Sequence, residues 1–152
     1  MIERLQIEIR ETAEEVLAVQ IPAYRVEADL IGFSGIPPLH DTVETLVTCR
    51  ESFYGYRTEE GKLAGAISYK RIGDLLDIHR MMVHPDYFRR GIAGSLLRFV
   101  ECNEPGIRTI KVATGTGNES AKLLYQRNGF QEIGQQEVAP GITVTLFEKH
   151  LA

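Results

Sequence analysis

Strand-like and helix-like segments follow one another along the chain, and their order constrains the fold more than any other sequence feature. Strands are indicated by alternating apolar and polar residues or short apolar runs, and helices by apolar residues three and four apart. Strands are expected at 5–10, 53–56, 63–69, 75–83, 109–114, 130–133 and 142–149, and helices at 12–21, 42–49, 91–101 and 120–128. The order β-α-α-β-β-β-α-β-α-β-β indicates an α/β domain with a mixed sheet and helices on both of its faces.

Local signals predict several of the boundaries. Thr12 and Glu15 have the spacing of a capping box, and Pro22 is expected to end the helix that they begin. The segment 24–30 is consistent with a further short helix, whereas the glycines and prolines at 32–38 predict a loop. Gly129 is expected to close the last helix in a left-handed conformation.

Length and composition indicate one domain over residues 1–152 and exclude several classes of function. Apolar residues make up 43% and charged residues 25% of the chain, as in soluble globular proteins. The net charge of −4 argues against binding to duplex nucleic acid. The first residues do not resemble a secretion signal, and no apolar run could span a bilayer, so a cytoplasmic protein without a membrane partner is expected. Two cysteines without a nearby histidine predict neither a disulfide framework nor a metal site.

The segment 81–94 carries the clearest chemical signal. A strand ends at Val83, a short loop follows, and a helix begins among the small residues Gly91, Ala93 and Gly94. Unpaired N–H groups at such a helix start, with the positive end of the helix dipole, favour a bound anion. Arg89 and Arg90 add positive charge there. The alternative is a helix start that needs small residues only for packing. Neither a P-loop nor a complete dinucleotide fingerprint is present.

Two motifs in this region and after it resemble those of the GCN5-related N-acetyltransferases (GNAT). The run Val83-His84-Pro85, followed by 89–93, is similar to the acetyl-CoA motif R/Q-x-x-G-x-G/A of that family. The run 118–130 is similar to its second motif, N-x-x-A-x-x-L-Y-x-x-x-G-F. One position departs from the family pattern, because Phe88 stands where Gln or Arg is usual. The resemblance implies a mostly antiparallel central sheet and an acetyl-CoA-dependent N-acetyltransferase that uses no metal.

The resemblance also assigns residues to the acetyl-CoA site. The pyrophosphate would lie on backbone N–H groups at the helix start, and the pantetheine arm would run along the strand edge like an added strand. Asn118 and Ser120 would line the lower part of the arm. The residues expected to contact acetyl-CoA are Met81, Met82, Val83, Arg89, Arg90, Gly91, Ile92, Ala93, Gly94, Asn118, Ser120 and Tyr125.

Amine acetylation requires one group that takes a proton and another that gives one. Tyr125 matches the family's usual general acid, which protonates the leaving thiolate; alternatively it is an aromatic residue that packs beside Ala121 and Leu124. Some family members carry a Glu as base where this chain has Ala113. Other family members carry the base on the central strand, and there the resemblance implies Asp77 or His79, acting through a water. Strand alternation places these two residues on one face. The alternative is that the two form a structural ion pair.

The resemblance implies that the acceptor enters between the early helices and the late strands, along the segment 24–40. Tyr24, Glu27 and Asp29 are the candidate contacts, and the acidic tendency of the region would suit a cationic amine. An exposed helix face whose charges are merely solvated is the alternative. The predicted reaction is direct attack of a small-molecule amine or a peptide N-terminus on acetyl-CoA in a ternary complex. A non-catalytic module that binds or senses acyl-CoA is the competing function, and a homodimer is left open.

Overall fold

The computed structural model describes residues 1–151 and contains seven strands and four α-helices in the predicted order. They are β1 (Ile2–Leu5), α1 (Arg10–Ile31), α2 (Val43–Val47), β2 (Ser52–Arg57), β3 (Leu63–Ile72), β4 (Leu75–Val83), α3 (Ile92–Asn103), β5 (Thr109–Gly115), α4 (Glu119–Arg127), β6 (Gln131–Ala139) and β7 (Ile142–His150). Short 3-10 helices occupy Pro37–His40 and Pro85–Tyr87.

One mixed sheet runs through the domain in the order β1-β2-β3-β4-β5-β7-β6. Every neighbouring pair is antiparallel except β4 and β5, which are parallel. That parallel pair is short, because it joins only Leu75–Asp77 to Thr109–Lys111. The remaining part of β4, from Ile78 to Val83, has no partner on its β5 side among residues 1–151, so the two strands leave a gap between them.

The helices cover both faces of the sheet, as the element order predicts. Residues of α1 and α2, including Val16 and Leu46, pack with Phe53 and Met82 in one apolar cluster. A second cluster packs α3 and α4 on the other face; it includes Ile67, Leu96, Tyr125 and Phe147 from these helices and from the sheet. The mixed, mostly antiparallel sheet is therefore confirmed.

The predicted first strand is wrong in its position. β1 ends at Leu5, which pairs with Phe53 near the start of β2, so little partner strand is left for residues after Leu5. Ile7 is nevertheless buried because it turns into the core by itself, whereas Ile9 is exposed at the N-cap of α1. The alternation that suggested a strand therefore reflects one isolated core contact.

The predicted helix end at Pro22 is also wrong. α1 continues through Pro22 to Ile31, and Gly32 ends it with a φ of 68°. Proline removes one N–H donor from the helix. Packing against the sheet before and after the proline offsets this loss, since Val16, Val19 and Ala28 are all buried. The expected short helix at 24–30 is consequently the second half of α1, which crosses the gap between β4 and β5.

Candidate active site

The gap between β4 and β5 forms a cavity of about 560 Å³, called the first cavity below. Its walls come from the second half of α1, the end of β4, the loop before α3, and the start of α4. All twelve residues that the sequence assigned to acetyl-CoA contact line this cavity, although they come from two separate stretches of the chain.

The loop before α3 has the backbone geometry of an anion-binding turn. Arg89 and Gly91 both have left-handed conformations, with φ values of 64° and 74°. The first intrahelical hydrogen bond of α3 runs from the N–H of Ser95 to the carbonyl of Gly91 at 3.0 Å. The N–H groups of Ile92, Ala93 and Gly94 precede it and have no intrahelical acceptor. Successive N–H groups in such a turn form a concave site for anions such as phosphate.

Side chains around this loop add charge and apolar surface. The guanidinium of Arg90 lies 5.2 Å from the centre of the Tyr87 ring, a cation–π distance. A methyl group at Gly94 would come within 3.2 Å of Arg98 Nη1, so the Arg98 side chain folds back over the first turn of α3. Phe88 lines the first cavity and is 43% exposed. At this position the chain therefore offers apolar surface in place of the family's polar side chain.

The exposed edge of β4 is contacted by Tyr24 from α1. The Tyr24 hydroxyl accepts a hydrogen bond from the Met81 N–H at 3.1 Å and donates one to the Met81 carbonyl at 3.2 Å. Burial raises the pKa of this phenol, and the charge of Glu27 raises it further. The hydroxyl thus stays protonated and can both donate and accept. It satisfies the backbone groups that β5 would otherwise pair with.

Tyr125 is a buried tyrosine that lines the first cavity. Its side chain is 3% exposed and packs against the rings of Phe130 and Phe147, each with a centroid distance of 5.6 Å. Burial raises the pKa of Tyr125 well above its usual value, with smaller contributions from Tyr24 and Glu27. The phenol therefore stays protonated near neutral pH.

The structure brings His79 and Asp77 together, but both nitrogens of His79 are occupied. Nε2 lies 3.2 Å from Asp77 Oδ2, and Nδ1 lies 2.9 Å from Glu51 Oε2. Asp77 lies away from the first cavity, whereas His79 lines it. In this conformation each ring nitrogen of His79 faces a carboxylate rather than the open space of the first cavity.

A largely buried ion-pair cluster lies next to His79. A register shift between β3 and β4 pairs Ser68 with Arg80 and Tyr69 with Ile78, so His79 is left without a partner. Arg80 forms ion pairs with Asp41 at 2.9 Å and Glu51 at 2.5 Å. Gln20 Nε2 donates to the same Asp41 carboxylate at 2.7 Å. The sequence analysis assigned no role to Arg80 or Glu51, since nothing local in the sequence indicates that they meet.

A second cavity of about 340 Å³ adjoins the first and is walled by the loop 36–38 and by Asp41. Six residues line both cavities: Tyr24, Glu27, His79, Arg80, Ala113 and Thr114. Of the three predicted acceptor contacts, Tyr24 and Glu27 lie at this junction. Asp29 is exposed and lines neither cavity.

Glu27 connects α1 to β5 and α4. Its Oε1 accepts hydrogen bonds from Thr114 Oγ1 at 2.7 Å and from Asn118 Nδ2 at 2.9 Å. Asn118 also caps α4, because its Oδ1 accepts from the N–H of Ala121 at 3.2 Å. The Asn118 side chain is thus used for positioning as well as for lining the first cavity.

Comparison with known families agrees with this geometry. A model described as "Acetyltransferase (GNAT) domain" matches residues 49–132, more than half of the chain. The chain belongs to the GNAT acetyltransferase family. The matched part of this GNAT domain contains the loop before α3, Tyr125 and His79, whereas α1 with Tyr24 and Glu27 precedes it. None of the helices in residues 1–151 is long and apolar enough to cross a membrane.

Individual relatives of the GNAT domain differ in how much they resemble it. UPF0157 protein YqkA of Bacillus subtilis (strain 168) is 44% identical over 147 residues, which is 97% of this chain. The chain spans only 43% of the length of that relative. The ribosomal-protein-S18-alanine N-acetyltransferase of Escherichia coli shares the fold with a TM-score of 0.78 at 18% identity, over 100% of this chain and 94% of that one. The PaiA N-acetyltransferase of Thermoplasma acidophilum, solved with coenzyme A, has a TM-score of 0.79 at 19% identity over 99% of both chains.

Proposed function

We propose that this domain transfers the acetyl group of acetyl-CoA to an amine, by direct attack of the amine in a ternary complex. The observation that carries this proposal is the continuity of the first cavity from the anion-binding turn, along the β4 edge, to the Tyr125 hydroxyl. The adjoining second cavity provides a separate approach for an acceptor. The relatives named for amine acetylation, one of them solved with coenzyme A, support the same reaction class.

Different parts of the first cavity suit different parts of the acetyl-CoA molecule. The left-handed turn at Arg89 and Gly91 suits the pyrophosphate, because its N–H groups converge without needing a side chain at position 88. The β4 edge at Met81 to Val83 suits the amide-containing arm, which can add to the strand by backbone hydrogen bonds. Because Tyr24 contacts both backbone groups of Met81, binding of the arm there requires the Tyr24 hydroxyl to share or leave these groups.

Two proton transfers accompany the reaction. An alkyl amine with a pKa of about 10 is almost entirely protonated near neutral pH, so it must lose a proton before attack. The thiolate of coenzyme A leaves more readily when it receives a proton. Tyr125 supplies that proton from its protonated phenol in the first cavity. A backbone N–H of β4 can stabilise the negative charge that develops on the carbonyl oxygen.

The experiment that tests this function follows free thiol released from acetyl-CoA with spermidine, L-lysine, kanamycin and an alanine-initiated tetrapeptide as acceptors. Release that depends on one of these amines is the expected result and identifies the acceptor class. Calorimetry with acetyl-CoA runs in parallel. Binding of acetyl-CoA without transfer to any acceptor favours the non-catalytic sensing module, and absence of binding contradicts the assignment of the anion-binding turn.

A further inference from the structure

We propose that Glu27 on α1 is the proton acceptor for the attacking amine, a catalytic role distinct from the predicted one of acceptor contact. The inference rests on the proposed function. Glu27 lines both cavities, so it lies at the junction that an amine crosses from the second cavity toward acetyl-CoA in the first. Among the residues lining the first cavity, Glu27 is the single carboxylate.

The two oxygens of Glu27 have different surroundings. Thr114 and Asn118 both donate to Oε1, which fixes the carboxylate against β5 and the start of α4. Oε2 makes no hydrogen bond to residues 1–151. A carboxylate anchored through one oxygen keeps lone pairs on the other for an incoming N–H donor. Anchoring also reduces the entropy lost when the amine binds, because the side chain is already oriented.

The other carboxylates near the junction are already paired. Asp41 and Glu51 line the second cavity, but both form ion pairs with Arg80. Asp77 lies outside both cavities and contacts His79. Accepting a proton at Asp41 or Glu51 would break a largely buried ion pair with Arg80, which is costly. Glu27 has no such cationic partner among the described residues.

Glu27 also lies within electrostatic reach of the proposed acid. Its charge contributes to the raised pKa of Tyr125 and of Tyr24. Ala113 lines both cavities with only a methyl group and leaves space at the junction. The proposed proton acceptor and proton donor thus line the same cavity from α1 and α4.

The proton balance of the step closes without any further reactant. An ammonium proton of the acceptor passes to Glu27 Oε2, and the freed nitrogen lone pair attacks the thioester carbonyl carbon. The C–S bond breaks, and the thiolate takes the proton of Tyr125. The new amide nitrogen returns its second proton to Tyr125, and Glu27 releases the first to water. The products are the acetylated amine, coenzyme A as thiol and one proton.

Glu27→Gln tests the proposal because glutamine retains an oxygen acceptor for Thr114 and Asn118 but cannot take the proton. We expect kcat with a panel amine to fall about 100-fold or more at pH 7, the usual contribution of a general base. The Kd for acetyl-CoA, measured by calorimetry, should stay within about twofold since the anion-binding turn is untouched. Thermal melting checks that the fold is retained, and Glu27→Asp should keep part of the activity.

The pH profile separates proton transfer from mere positioning. In Glu27→Gln, kcat should rise about tenfold per pH unit between pH 6.5 and 8.5, because only the neutral amine reacts. The wild-type profile should be shallower. The other titratable or charged groups near this junction are Tyr24 on α1, Asp41 and Glu51 beside the second cavity, His79 and Arg80 on β4, and Tyr125 on α4. They are identical in both proteins. Glu14→Gln is the control, since Glu14 is an exposed carboxylate of the same helix.

Three results would overturn the proposal. The first is a kcat in Glu27→Gln within about threefold of wild type, far below a general-base contribution. The second is a loss confined to KM, which indicates that Glu27 only anchors the ammonium group. The third is a wild-type protein that binds acetyl-CoA but acetylates no panel amine. This result contradicts the proposed function itself, and it is distinguished from a failure of the Glu27 proposal because it appears in the wild type, without any variant.

Discussion

Replacing Arg80 with methionine tests whether the buried ion-pair cluster holds the wall of the second cavity. The Arg80 side chain is 10% exposed and lies between Asp41, at 15%, and Glu51, at 7%. Burial lowers the pKa of the guanidinium, but the two carboxylates outweigh this effect and raise it. Methionine fills a similar volume without charge, so it leaves two buried carboxylates without their shared cation.

The expected cost follows from these contacts. Removing one partner of a buried ion pair typically destabilises a protein by about 3–5 kcal/mol. Some compensation remains, because Gln20 still donates to Asp41, and Ser68 and His79 still contact Glu51. We therefore expect the low end, about 3 kcal/mol, in Arg80→Met. For a domain of this size that corresponds to a Tm lower by about 6–12 °C.

Thermal and urea unfolding measure this cost, with Arg10→Met as the control. Arg10 pairs with Glu44 at 3.3 Å, but both side chains are at least 64% exposed, so its loss should change Tm by no more than about 2 °C. Glu51→Gln should recover part of the stability lost in Arg80→Met because it removes one uncompensated charge. A Tm within about 2 °C of wild type for Arg80→Met would refute the argument that the cluster is buried and coupled.

Three further predictions concern the first cavity. Tyr125→Phe should lower kcat by about 100-fold or more in the thiol-release assay, with an unchanged Kd for acetyl-CoA, and an unchanged kcat would remove Tyr125 as the acid. Gly91→Ala should lower the free energy of unfolding by about 1–2 kcal/mol because its φ is 74°, and calorimetry should show weaker acetyl-CoA binding. The control Gly61→Ala, at φ 85° in the β2–β3 turn, should destabilise the fold by about the same amount and leave acetyl-CoA binding unchanged. Equal affinities for acetyl-CoA in the two variants would contradict the assignment of the turn before α3. Because the pKa values of Tyr24 and Tyr125 are raised, the folded state keeps protons that the unfolded state loses above about pH 10. Above that pH the free energy of unfolding should fall by about 1.4 kcal/mol per pH unit for each tyrosine. Urea unfolding between pH 9 and 11 should therefore show a shallower dependence of this free energy on pH in Tyr125→Phe than in wild type.

Residues 81–94 and 118–130 show how far local sequence can predict a site. The small residues at the start of α3 and the Asn118 cap of α4 act through hydrogen bonds within a few positions of the chain, so their spacing indicates their conformation. The twelve predicted contacts accordingly line one cavity. Ala113, which lacks the carboxylate of some family members, also proved to lie at the junction of the two cavities.

Local reasoning failed where distant packing overrides a local preference. Pro22 is a reliable helix breaker in isolation, but α1 continues because its buried residues on both sides of the proline pack against the sheet. Ile7 and Ile9 have the spacing of a strand but no partner strand to pair with. In both cases the contacts that decide the outcome come from residues far away in the chain.

The periodicity and turn chemistry of the sequence determined the number, type and order of the elements and the position of the turn before α3, because these depend on neighbours a few residues apart. Only the tertiary structure decided that β4 and β5 separate after three residue pairs, and hence that a cavity exists. It also decided that Glu27 meets Thr114 and Asn118, which lie about ninety residues away in the chain. Contacts over such separations depend on how the whole sheet assembles, which no local pattern in the sequence encodes.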